Sequence, residues 1–212
     1  MNKKIFFTQF IFMKILIILI GFLLILNLFG IGNKFLKRAK ISAPAVSLVL
    51  LLILVSLMLP VYTIGNFSFT IAGFVIGLIL SSIFLFQIKN KKYFARFFIS
   101  FLIVVFVMQL FFILVENLNL ENSLMLAWAS VTLALTPVVL WLCKFPKQTF
   151  SALFFGVNFA QIIHGAIISK PIFLGDINVL FAFVCASVFM LIVYNIAYLI
   201  RRQKRVKAFM AG

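Results

Sequence analysis

Acidic side chains are nearly missing from this sequence: Glu116, Glu121 and Asp176 are the only carboxylates in 212 residues. They form no pair of the kind that general acid–base chemistry uses, and they are too few for a carboxylate-built cation site. Histidine is scarcer still. His164 stands alone, with no cysteine, aspartate or second histidine at metal-ligand spacing. The two cysteines, Cys143 and Cys185, lie in separate apolar stretches and make neither a disulfide framework nor a CxxC redox or metal site. They read as small buried hydrophobes. Glycine-rich phosphate loops, HExxH and GxSxG are absent as well, so enzymatic function has no motif behind it and no cofactor is expected.

What fills the chain instead is apolar surface. Hydrophobic residues make up 66% of it and charged ones only 10%, with a mean hydropathy of +1.28. A soluble fold needs polar cover and cannot bury that much, so the solvent for most of this surface is lipid. The formal net charge of +16 would suggest nucleic acid in a soluble domain. Here the basic residues fall between apolar stretches, with no basic helix face interleaved with aromatics, which excludes nucleic acid as a partner.

A bilayer core about 30 Å thick takes about 20 apolar residues in a helix. Seven such runs occur, roughly 14–32, 43–64, 70–88, 97–116, 124–143, 150–169 and 178–200. The expected fold is therefore all-α, a polytopic transmembrane helix bundle forming one domain over 1–212. Four basic clusters follow alternate runs: Lys34 to Lys40, Lys89 to Arg96, Lys144 with Lys147, and Arg201 to Lys207. They hold fifteen of the nineteen lysines and arginines, while the intervening connections hold all three acids and Lys170. Positive charge keeps loops in the cytoplasm. Residues 34–207 thus read as three consecutive hairpins with basic cytoplasmic loops, in a multi-pass protein of a bacterial cytoplasmic (inner) membrane with a cytoplasmic C-terminus.

The N-terminal segment 1–33 has two readings. Parity puts the N-terminus outside, which Lys3, Lys4 and Lys14 oppose. Either the segment spans, giving seven crossings, or it lies as an interfacial helix and six cross. A cleaved signal peptide would need a small-x-small site, and Asn27-Leu28-Phe29-Gly30 is a poor one. Ser42 is expected to cap the next helix, with Pro44 in its first turn, while Pro60 and Pro137 are expected to kink or end theirs. The starts Lys91–Phe98 and Lys147–Phe154 align at an offset of 56 residues, which a duplicated hairpin or merely serial hairpins would produce.

Within the runs, a few residues stand out. Gly73-x3-Gly77-x3-Ser81 is a small-residue ladder suited to close helix packing, against the partner helix of its own hairpin or in a homodimer. On the run 150–169, Ser151, Asn158, Gln161, Gly165 and Ser169 fall within about 80° of one another at 100° per residue, with His164 about 60° further round. Such a stripe faces other helices or a wet cavity rather than lipid. With Gln109, Ser130, Thr136, Ser187, Tyr194, Asn195 and Tyr198 it makes either a polar pocket or a set of interhelical hydrogen bonds. His164 has Asp176 as its nearest acid in sequence. No run carries a charged residue near its centre, which counts against ion-driven pumps.

Three functions fit these features. The first is a non-enzymatic accessory or scaffold protein packing, within the lipid bilayer, against another membrane protein or itself. The second is a small-solute permease or channel using the polar faces of the last two helices. The third is an intramembrane enzyme centred on His164, which would need an acid or metal partner.

Overall fold

In lipid every backbone N–H and C=O must find an internal partner, so apolar runs of this length fold as helices. The computed structural model describes residues 3–117, 124–168 and 172–210. Its helices are α1 (Lys3–Leu28), α2 (Asn33–Arg38), α3 (Ala43–Ser56), α4 (Ile76–Phe86), α5 (Lys91–Asn117), α6 (Leu124–Cys143), α7 (Pro146–Ile168) and α8 (Ile177–Met210). Among the described residues, three stretches are long and apolar enough to cross a membrane: Lys91–Glu116, Pro146–Ile168 and Ile177–Gln203. Met13–Leu28, Ala43–Ser56, Ile71–Phe86 and Trp128–Cys143 are apolar but shorter.

Local signals account for most boundaries. Asn90 caps α5 by accepting the Lys92 N–H at 2.8 Å. Pro146 opens α7, where a missing N–H is harmless. Ser42 does stand at the start of α3, but its hydroxyl makes no cap bond; its carbonyl accepts the Val46 N–H instead. α3 ends at Ser56, ahead of Pro60, whereas α6 runs on through Pro137. Two threonines on that stretch bond back to carbonyls one turn earlier, Thr132 to Trp128 and Thr136 to Thr132.

The expectation of helices alone needs one correction. Residues at the first non-basic connection form strands β1 (Tyr62–Ile64) and β2 (Phe67–Phe69), antiparallel around Gly65 at φ +60 and Asn66. Strand β3 (Ile172–Leu174), from the connection between α7 and α8, pairs parallel to β2 with Phe67 opposite Ile172. Three-residue strands are too short to show a period of two in sequence. Below this sheet a π-helical turn, Ile71–Val75, leads into α4. Thr70 accepts the Gly73 N–H and donates its hydroxyl to the Gly175 carbonyl, and the backbones of Gly73 and Gly175 touch.

Helix pairing follows the hairpins only in part: α5 meets α6, with Cys143 donating to Ser100 and Trp128 on Phe111 and Phe112, but other pairs lie across them. α4 runs antiparallel to α7, as the contacts Gly77–Phe154, Ser81–Ser151, Phe84–Phe150 and Gln87–Lys147 show in order. α5 runs parallel to α7, with Gly156 against Val104, Gln109 bonded at Ala160, and Phe112 on His164. The main core joins α5 to α8 through residues such as Val104, Met108, Trp128, Phe154, Val157 and Phe183. A second cluster joins Leu16 and Ile20 of α1 to Ile53, Ala72, Leu180 and Val184. At the other end of α1, Asn27 donates to the Ala43 carbonyl and to Ser47. The lysines and arginines of α2, α5's start and the α6–α7 turn thus gather at one end, and the sheet with Glu116 and Asp176 at the other.

Candidate functional site

The residues of the expected polar pocket separate into two groups. Gln109, Asn158, Gln161 and His164 lie along the α5–α7 region, in the half of the bundle towards the sheet. Tyr194 and Tyr198 lie about 26 Å and about 32 Å along α8 from Ile177, at 1.5 Å per residue, near the basic end. There Arg38 of α2 donates to Asn195 at 3.3 Å and sits 5.3 Å from the Tyr198 ring centroid. Tyr198 is therefore part of an α2–α8 clamp rather than a neighbour of His164.

Gln109 donates from Nε2 to the Ala160 carbonyl at 2.7 Å, tying α5 to α7. One turn on, His164 stacks on Phe112 with centroids 4.6 Å apart, and its Nε2 lies 3.4 Å from Glu116 Oε1. Glu116, not Asp176, is the acid beside His164. Sequence distance pointed to Asp176, twelve residues away, because nothing in the sequence announces that α5 and α7 lie side by side. Asp176 instead caps α8, accepting from the Ile177 N–H at 2.6 Å and from Asn178 Nδ2 at 2.7 Å. Burial raises its carboxyl above the ordinary carboxylate value despite both bonds.

Along the stripe on α7, Ser151 donates to the Ser81 carbonyl at 3.0 Å, and Gly165 gives room to Ile172 of β3. Ser169 lies outside the described residues. Asn158 is 4% exposed; its Nδ2 donates to the Phe154 carbonyl one turn back, while its Oδ1 and the Gln161 Oε1 are buried with no hydrogen-bond partner. Ser187, Asn195 and Thr136 bond to carbonyls of their own helices.

Asn158 also borders an open groove of about 360 Å³ between α4, α5 and α7. Its other lining residues are apolar, among them Phe74, Leu78, Phe98, Phe101, Phe159 and Ile162. The ladder Gly73, Gly77 and Ser81 packs within the chain, against Gly175, Phe154 and Ser151 in turn. Gly77 and Ser81 thus meet α7 rather than α3, the other helix of the hairpin, and Gly73 meets the turn after β3.

It matches no family model, no curated protein and no solved structure. The geometry therefore carries the functional reading alone. Its elements are a polar set bonded partly between helices and partly within them, an open apolar groove, and an imidazole–carboxylate pair near the sheet end.

Proposed function

We propose that this chain is a non-enzymatic accessory or scaffold protein of a bacterial cytoplasmic membrane, working by packing against a transmembrane segment of another membrane protein. The observation that carries this reading is the groove between α4, α5 and α7. Phenylalanine lines it, Asn158 is its one polar lining residue among those described, and the half-exposed Phe98 and Phe159 leave it accessible to an approaching helix. Several candidate polar groups, Gln109 and Ser151 above all, are bonded to neighbouring helices, a common use of such groups in membranes.

In this reading the chain crosses seven times, with the basic end and C-terminus in the cytoplasm. The path of α1 supports the seventh crossing. Leu16 and Ile20 share a cluster with Leu180 near the sheet end, while Asn27 reaches Ala43 near the basic end.

A second reading, a small-solute permease, draws on the unpartnered oxygens of Asn158 and Gln161. A deletion strain with a measurable phenotype separates the two. Asn158→Leu, Gln161→Leu leaves complementation normal if these amides only join helices, with a stability change of about 1 kcal/mol or less each. Loss of complementation at normal protein level would favour the permease, because leucine removes the groups that replace a solute's water. His164 now has a carboxylate within reach, so His164→Ala in the same assay tests an intramembrane enzyme.

A further inference from the structure

At the basic end, the α2–α3 turn, the end of α4 and the start of α7 enclose a second cavity of about 170 Å³. Ala39, Phe84, Ile88 and Phe145 supply apolar lining, and Lys40, Gln87, Lys147 and Gln148 supply polar lining. We infer that this cavity binds a phosphate group carried on an ester, the headgroup of an anionic phospholipid or a soluble phosphate ester.

Three observations carry the inference. Two lysines border the cavity and no carboxylate does, so the charge there is uncompensated by the lining. Lys147 Nζ spends one bond on Gln87 Oε1 at 3.0 Å and rests 5.6 Å from the Phe84 ring centroid, which positions an ammonium with donors to spare. Gln148 is 8% exposed, lines the cavity, and has a buried Oε1 with no hydrogen-bond partner. A lone anion would leave that acceptor empty. A phosphodiester bearing a hydroxyl, such as a glycerol headgroup, supplies both an anion for the lysines and a donor for Gln148. The first turn of α7, opened by Pro146, adds N–H groups beside the same cavity. A volume near that of about six liquid waters suits a phosphoryl group with a small substituent. Basic pockets between helices on the cytoplasmic side hold lipid headgroups in this way.

The test measures the unfolding midpoint of the intact protein in a neutral detergent, titrated with phosphatidylglycerol, with phosphatidylcholine or with inorganic phosphate; a ligand that prefers the folded state raises the midpoint with concentration. Phosphatidylglycerol is expected to act at lower concentration than phosphatidylcholine. Lys40→Gln, at a side chain with no hydrogen bond among the described residues, and Lys147→Gln should each weaken the apparent affinity about fivefold. With glycerol 3-phosphate as a further titrant, stabilisation by phosphatidylglycerol without it identifies a lipid site and equal action by it identifies a soluble ester, whereas inorganic phosphate acting as strongly as either would overturn the need for an ester. Equal responses to phosphatidylglycerol and phosphatidylcholine with none to phosphate, or an unchanged response in both lysine variants, would overturn the assignment.

Discussion

Gly175 stands in the left-handed region, at φ +69, with its carbonyl against Gly73 and its Cα close to the backbone of Phe74. A Cβ there would be strained by φ and would meet main chain that cannot swing aside. Gly175→Ala should therefore destabilise by about 1–3 kcal/mol, seen as a lower unfolding midpoint in detergent. Gly21→Ala, where a Cβ meets nothing within 4 Å, should not. Equal midpoints for the two would contradict the Gly73–Gly175 junction. Beside it, Asp176 gives a pH signature. Its folded value lies above the ordinary 3.8 because burial disfavours the charge, so the folded state holds the proton more tightly than the unfolded chain. This group's contribution is then fully present below pH 3.8 and declines as pH rises through the folded value. Asp176→Asn keeps an acceptor for the Ile177 N–H and should flatten stability over that window; an unchanged pH profile would show that the carboxyl is not desolvated. At this scale the sequence was a partial guide. It singled out Gly73, Gly77 and His164, but the partners Gly175, Phe154 and Glu116 come from other helices or loops, and no local pattern names them.

The later elements were legible because hydropathy and charge mark where a helix can cross: the run 124–143 and α6 coincide, and α5, α7 and α8 differ from their runs mainly by polar turns at the basic ends. The run 43–64, by contrast, is helical only to Ser56 with β1 at its far end, and the run 70–88 opens on a π-helical turn. The pairing of elements was not legible. In lipid an apolar face has no preferred partner, so hydropathy cannot say that α4 and α5 both lie against α7. Close approach between α4 and α7 rests on Gly77, over which the Phe154 ring sits. Gly77→Ala should cost about 1–3 kcal/mol, and Phe154→Leu in the same chain should recover part of it, because the shorter side chain vacates the space the new methyl needs. Strictly additive losses in a thermal unfolding double-mutant cycle would mean that the two residues do not meet. The phenylalanines Phe98 and Phe154 occupy matching places in the 56-residue alignment, yet Phe98 is half-exposed and Phe154 is buried, so the two hairpins use similar starts differently.

Across the whole molecule, charge and structure agree on which ends are which. The sheet, Glu116 and Asp176 lie at one end, and Arg38, Lys40, Lys92 and Lys147 at the other. The proposed topology puts the basic end in the cytoplasm, where the phosphate pocket would meet anionic headgroups. It is tested most directly with single cysteines at Lys92 and Asn66, both exposed, in a chain whose Cys143 and Cys185 are replaced by serine. In intact cells a membrane-impermeant thiol reagent should label the cysteine at position 66, and should label the one at position 92 only after the membrane is opened. Labelling of position 92 in intact cells, with position 66 protected, would contradict the account.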